Sequence, residues 1–237
     1  MTQIREAIVL AGGLGTRLRE AVPDLPKCMA PVNGKPFLHY LLTYFHQQGI
    51  ERFILSVGYR NELISSYFQE IDHNFDLTYR VEEEPLGTGG GIQLAMSGIT
   101  TENALVLNGD TFFKIDLQAF SNFHLNTPAE CSLALKPMRN FDRYGLVETQ
   151  ADHKIISFKE KRPYEQGSIN GGIYAIQKNQ FLDRNFPVKF SLEKDYFETV
   201  VTEGRLYGQE QDRYFIDIGI PADYGRVQTD FLAFDEL

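Results

Sequence analysis

Four short runs of apolar residues, at positions 7–10, 53–57, 77–81 and 104–107, are separated by stretches in which apolar residues recur every three or four positions. Continuously apolar segments of strand length are typical of strands covered on both faces. Their alternation with helical periods implies right-handed crossovers within one mostly parallel sheet. Phe37, Tyr40, Leu41, Tyr44 and Phe45 supply one such helical face, and Asn61 is placed as the N-cap of a helix running through Phe68. After Cys131 the texture changes: strands at 132–135, 145–149, 154–160 and 172–176 crowd together across turn-rich links. Added, partly antiparallel sheet over the mouth of the core is expected there, and a last helix after Pro221. With 237 residues, 43% hydrophobic content and 18 Phe, the chain can bury a sizeable core. The expected fold is a Rossmann-like mixed, mostly parallel sheet flanked by helices, in one domain over residues 1–237.

The net charge of −9 excludes nucleic acid and anionic membrane as general partners, because both would repel the molecule as a whole. A polyphosphate ligand must then meet a local basic pocket. The two cysteines, Cys28 and Cys131, fit neither a disulfide framework nor a metal knuckle, which points to a reducing compartment. No signal-peptide core and no membrane-length apolar run is visible, so a cytoplasmic location is expected.

Ligands of open α/β sheets bind beyond the carboxyl ends of the strands. The first strand runs into Leu10-Ala11-Gly12-Gly13-Leu14-Gly15-Thr16-Arg17-Leu18. Three glycines let bare backbone N–H groups approach phosphate oxygens, and Arg17 adds a planar cation suited to them. The pattern is not the dinucleotide G-x-G-x-x-G, since Leu18 stands in place of the third glycine, and the P-loop's Gly-Lys-Ser/Thr is missing. The same glycines would also serve a ligand-free turn; the arginine and the position after strand one favour an anion cradle. Lys27 follows, held between Pro26 and Pro31 as a second fixed cation.

The fourth strand ends in Asn108-Gly109-Asp110, and a later short apolar run ends in Asp217-Ile218-Gly219. Asn-Gly-Asp is ordinary turn chemistry on its own, but a second aspartate in the same setting makes Asp110 and Asp217 a candidate Mg²⁺ clamp. Tyr144-Gly145, Glu160-Lys161 and Asn170-Gly171 sit at strand edges. They supply a ring, an acceptor, a cation and an amide, a set suited to a polyhydroxylated ligand carrying one phosphate, although each alone also suits a surface turn.

These residues together resemble the sugar-1-phosphate nucleotidyltransferases. The glycine motif with Pro26-Lys27 looks like that family's signature, and the match continues through Leu86-Gly87-Thr88-Gly89-Gly90, Asn108-Gly109-Asp110, Glu160-Lys161, Asn170-Gly171-Gly172 and Asp217-Ile218-Gly219. Within the family, Asn140-Phe141-Asp142-Arg143-Tyr144-Gly145 and Asp217-Ile218-Gly219-Ile220-Pro221 are most similar to the heptose 1-phosphate guanylyltransferases. Cys28 stands where such relatives commonly carry proline, beside Lys27, and removes no required group.

The resemblance implies a nucleotide-diphospho-sugar transferase fold whose antiparallel region binds sugar. It implies Mg²⁺ on Asp110 and Asp217, with Arg17, Lys27 and Asp110 catalytic. The nucleoside triphosphate, expected to be GTP, would lie on Leu10, Ala11, Gly12, Gly13, Gly15, Thr16 and Arg17, with Glu84, Gly87, Thr88, Gly89, Asn108 and Gly109 around it. The sugar 1-phosphate would meet Tyr144, Gly145, Glu160, Lys161, Asn170 and Gly171. Glu84 carries its own chemical argument: a carboxylate accepts at once from guanine N1–H and N2, whereas uracil's edge suits an amide. Glu82-Glu83-Glu84 is equally readable as a solvated acidic run. Uridylyl or thymidylyl transfer to a hexose 1-phosphate, mannose 1-phosphate as acceptor, and a non-catalytic regulatory subunit are the rival readings, and homo-oligomerisation stays open.

Overall fold

The computed structural model describes residues 3–13, Leu18 and residues 22–234; Gly15, Thr16 and Arg17 lie outside the described residues. In chain order, β1 (Glu6–Leu10) is followed by a two-strand ribbon of β2 (Pro31–Val32) and β3 (Lys35–Pro36). Then come α1 (Phe37–Gln47), β4 (Arg52–Val57), α2 (Asn61–Glu70), β5 (Asp76–Val81), α3 (Gly87–Met96) and β6 (Asn103–Asn108). The strands β6, β1, β4 and β5 lie side by side and are all parallel.

Successive strand side chains point to opposite faces, and burial of both faces explains why the central strands carry no polar alternation. Val9, Leu55 and Leu107 pack in one apolar layer with Phe37, Leu41 and Phe45, while Ile8, Ile54 and Val106 pack in the other with Ile92, Met96 and Tyr174. Both faces of β1, β4 and β6 are buried, so their central positions are apolar on both sides, whereas the edge strand β5 is half-exposed and carries Thr78 and Arg80. The second helix departs from expectation at its start. Arg60, at φ 52, is the capping residue, and Asn61 is the first helical residue, its Nδ2 donating to the Gly58 carbonyl at 3.2 Å. A left-handed residue turns the chain sharply out of the strand end, and the asparagine amide supports that turn instead of capping the helix.

The second half contributes β7 (Thr111–Phe113), α4 (Leu117–Asn126), β8 (Cys131–Phe141), β9 (Leu146–Thr149), β10 (Ile155–Phe158) and β11 (Tyr164–Gln177). It closes with α5 (Lys178–Leu182), α6 (Glu198–Thr202), β12 (Leu206–Glu210), β13 (Phe215–Asp217) and α7 (Pro221–Asp230). The antiparallel addition expected after Cys131 is present, and it is continuous with the parallel sheet. β11 pairs antiparallel with β8 in both its early part and its end; its other edge pairs with β9 at Ser168–Ile169 and with β6 at its end, and β12 runs parallel to β8. Nine strands thus form one sheet among the described residues. Two helix starts follow simple chemistry: the Asp116 carboxylate accepts from Ala119 N–H at 2.9 Å at the head of α4, and Pro221 opens α7. Among the described residues no helix is long and apolar enough to cross a membrane.

Candidate active site

Three adjoining cavities line the carboxyl ends of the parallel strands. The middle one, of about 290 Å³, is walled by Leu10, Ala11, Gly13, Asn108, Gly109 and Asp110, with Lys27 and Gly219 on its floor. The glycine at 109 is required by close approach: its N–H donates to the Leu10 carbonyl at 3.0 Å, and a Cβ there would begin 2.6 Å from that oxygen. Strand ends β1 and β6 are therefore in direct backbone contact beneath the cavity. A second cavity of about 670 Å³ shares Leu10, Gly13 and Thr88 with the first and extends over Gly12, Gly58, Tyr59, Val81 and the acidic run. A third, of about 330 Å³, shares Asn108 with the first and opens between Thr111, Arg143, Tyr144, Lys161, Asn170 and Asp217. Together they form one groove, with the smallest of the three cavities in the centre and charges of both signs around it.

That centre is built by three separate stretches of chain. Pro26, with φ −56 and ψ 141, feeds a single 3₁₀ turn, Lys27–Met29, whose Cys28 and Met29 are buried. The Cys28 thiol lies 3.9 Å from the Ala11 carbonyl, and burial pushes it up to about 12, with the Asp110 charge adding to the shift. The residue is thus an inert packing group between the lysine turn and the glycine loop. Asp110 follows β6, and Asp217 ends β13, which pairs antiparallel with β7 so that Asp217 lies opposite Thr111. This small ribbon, separate from the main sheet, brings the two aspartates together. Lys27 Nζ lies between them, 2.5 Å from Asp110 Oδ2 and 3.4 Å from Asp217 Oδ1.

The third cavity owes its shape to an irregularity in β11. Asn170 pairs with Leu135 of β8 but Tyr174 pairs with Leu133, so β11 carries two more residues than its partner over that stretch. The Asn170 side chain closes the bulge locally, accepting from Gly172 N–H at 2.9 Å and donating to the Tyr174 hydroxyl at 3.1 Å. Gly172 sits at φ 74 with Asn108 directly above it. Arg143 stands over the Tyr144 ring and is ion-paired to Asp223 of α7. Burial, followed by the Asp217 charge, pushes the Tyr144 phenol up to about 12, so the ring enters the cavity as a neutral hydrogen-bonding group.

Most of the residues singled out from sequence come together here. Leu10, Ala11, Gly12, Gly13, Lys27, Gly87, Thr88, Asn108, Gly109, Asp110 and Glu84 line the first two cavities, and Tyr144, Lys161, Asn170, Gly171 and Asp217 line the third. Three others have different surroundings. Gly89 is buried against the Phe190 ring, and its N–H donates to the Phe190 carbonyl at 3.1 Å. Gly145 lies directly against the Lys159 carbonyl. Glu160 is exposed, and its carbonyl accepts from the Tyr164 hydroxyl at 2.9 Å.

Sequence reasoning passed over several lining groups. Tyr59 follows the end of β4, where the same strand-end rule would have found it. Arg143 lies inside the quoted 140–145 motif, and Glu193 reaches the groove from a segment with no motif at all. Glu82 belongs to the acidic run but is not solvated: it accepts from the Ser56 hydroxyl at 2.8 Å and from Leu86 N–H at 3.1 Å. It fixes the loop on which Glu84 stands exposed.

Residues 6–233 match the nucleotidyl transferase family. The chain belongs to that family. It is 48% identical over 225 residues, 95% of this chain and 97% of the relative, to a D-glycero-α-D-manno-heptose 1-phosphate guanylyltransferase of Aneurinibacillus thermoaerophilus. A Campylobacter jejuni enzyme of the same name is 46% identical over 92% of this chain and 96% of its own length. The crystal structure of HddC from Yersinia pseudotuberculosis complexed with GMP-PN superposes with a TM-score of 0.87 at 35% identity, covering 96% of this chain and 100% of that one. The Rossmann-like nucleotidyltransferase fold read from sequence is thus the fold observed.

Proposed function

We propose that this nucleotidyltransferase joins GMP from GTP to D-glycero-α-D-manno-heptose 1-phosphate, releasing pyrophosphate. The observation that carries the reading is the cluster of Lys27, Asp110 and Asp217 at the junction of the nucleotide-side and sugar-side cavities. It is the place where two phosphates from opposite arms of the groove would meet. The full-length similarity to two heptose 1-phosphate guanylyltransferases supports the choice of substrates, and the sheet shared by both arms supports a single domain over residues 1–237.

In this mechanism the triphosphate lies along the backbone of Leu10, Ala11, Gly12 and Gly13, with Gly15, Thr16 and Arg17 completing the cradle. The base reaches the cavity edged by Tyr59, Val81 and Glu84. Lys161 and Arg143 draw in the sugar phosphate, and Tyr144 and Asn170 contact the sugar. An oxygen of the sugar phosphate attacks the α-phosphorus in line. One P–O bond forms, the α–β bond breaks, and its electron pair leaves on pyrophosphate, so no covalent enzyme intermediate is needed. Lys27 steadies the charge that accumulates on the α-phosphoryl oxygens. Two carboxylates at adjoining strand ends fit Mg²⁺, which takes one or two protein carboxylates and fills its shell with phosphate oxygens and water. Bound there by Asp110 and Asp217, it would supply charge neutralisation at the reacting phosphate.

The test is a matrix of nucleoside triphosphates against sugar 1-phosphates, with products identified by mass. The expected result is GDP-heptose as the fastest-formed product. Faster turnover of UTP or dTTP with a hexose 1-phosphate would overturn the substrate assignment, and the absence of any product with Mg²⁺ across the matrix would favour a regulatory subunit.

A further inference from the structure

We propose that Lys27 is an internal counter-ion that keeps Asp110 and Asp217 from taking a divalent cation ahead of the nucleotide. The cation enters this pair together with a triphosphate, onto which the Lys27 ammonium transfers. The inference rests on the reading of the two aspartates as the metal pair.

The ammonium is held in place by packing as well as by charge. Only 12% of the Lys27 side chain is exposed, against 37% for Asp110 and 27% for Asp217. Its backbone is fixed by a turn in which Met29 N–H donates to Pro26 and Ala30 N–H to Lys27, at 2.8 and 3.1 Å. Behind it stands Gly219, where a Cβ would begin 3.1 Å from Nζ. Gly219 N–H also donates to Asp217 Oδ1 at 2.8 Å, so the lysine and a backbone amide grip the same carboxylate oxygen. Asp110 Oδ1 accepts from the Thr111 hydroxyl at 3.3 Å, which leaves Oδ2 turned to the ammonium.

The charge count then decides the order of binding. Two carboxylates and one ammonium leave a net charge of about −1 within the triad itself, and among the described residues Glu193 and Arg143 are the charged groups around it. Among the described residues no cluster of three or more His, Cys, Asp or Glu is available to a metal. Glu193, which also lines the cavity, is engaged by the Thr88 and Ser191 hydroxyls. Arg143 is paired with Asp223. A divalent cation joining this triad would place three positive charges on two carboxylates in a half-buried site, which the Coulomb repulsion between cations opposes. A triphosphate reverses the balance, since its oxygens give the ammonium a new partner and complete the metal's ligand shell. Nucleotide and metal should then strengthen each other's binding by the same factor, because linkage is reciprocal.

The measurement is a Mn²⁺ titration of the nucleotide-free full chain, following the EPR signal of the free ion. It compares wild type, Lys27→Ala, Lys27→Met and Lys27→Ala/Asp217→Asn, with melting curves to verify folding. Lys27→Met keeps the packing of the lysine stem should Lys27→Ala fail to fold. Both single variants are expected to bind Mn²⁺ at least tenfold more tightly than wild type, and Asp217→Asn should abolish the gain. Wild type binding Mn²⁺ as tightly as the Lys27 variants, or a gain that survives Asp217→Asn, would overturn the counter-ion role. Calorimetry with α,β-methylene-GTP separates the two levels of the argument. Mg²⁺ should strengthen binding of this analogue to wild type and not to Asp110→Asn. Equal strengthening in both proteins would remove the metal assignment, and the inference with it.

Discussion

The groove is flanked by two walls made in different ways. On the parallel side, β1 and β6 meet through the contact of Gly109 with the Leu10 carbonyl, and Gly12, Gly13, Gly87 and Gly109 bring bare backbone to the lining. On the antiparallel side, a bulge in β11 and the long strand β8 leave room that is filled by Tyr144, Arg143, Lys161 and Asn170 side chains. A backbone wall has almost no slack, because a displaced carbonyl or amide takes a strand with it. A side-chain wall can be altered one group at a time. Under the proposed function, the first would hold the triphosphate and the second the sugar phosphate.

The largest effect is expected at the seam between the walls. Asp110→Asn and Asp217→Asn should each lower turnover on the order of a thousandfold while the protein stays folded, since several kcal/mol of charge stabilisation at the reacting phosphate are lost. Near-normal rates of both with Mg²⁺ would show that the seam is not the reaction centre.

A change to the rigid wall comes next. Gly109→Ala pushes a methyl group into the Leu10 backbone and should cost about 2 kcal/mol, lowering Tm by roughly 4–8 °C. Activity should fall with both substrates alike. A variant with unchanged Tm and only a sugar-phosphate defect would contradict the description of this wall.

On the adaptable wall, Lys161→Ala should raise KM for the sugar phosphate by about ten- to a hundredfold, the worth of one charge-assisted contact, and leave KM for GTP and the melting temperature nearly unchanged. Steady-state kinetics with each substrate varied in turn would decide this. A defect confined to GTP would mean that the two walls are assigned the wrong way round.

The smallest shift is expected at the rim. Glu84 stands exposed beyond the firmly anchored Glu82. Glu84→Gln should move the ratio of kcat/KM for GTP over UTP toward UTP by about tenfold, if one charge-assisted bond to guanine is lost. An unchanged ratio would place base recognition on other groups of the rim.

Much of this arrangement was legible along the chain. The parallel strands announced themselves because residues such as Ile8 and Val9 face different apolar layers and must both be apolar. Gly109 and Asp110 were legible because the end of a buried strand is where an open α/β sheet binds its ligands. Asn61 was misplaced by one residue because a left-handed Arg60 is an uncommon way to start a helix. Gly89 was expected beside the nucleotide, yet its neighbour is Phe190, about a hundred positions away and carried by no recognisable motif. The acidic run at 82–84 divides into one anchoring residue and two exposed ones for a similar reason: Ser56 lies on another strand.

The sequence by itself determined the class of fold and most of the chemical groups. Strand burial, turn glycines and strand-end aspartates are local requirements written into neighbouring residues. Only the tertiary structure decided how those groups face one another. Lys27, Asp110 and Asp217 come from three distant stretches, and their meeting depends on the separate β7–β13 ribbon and on the absence of a side chain at Gly219. A contact between residues 190 positions apart, such as that of Lys27 with Asp217, depends on the closure of the whole chain, for which no local pattern exists to be read.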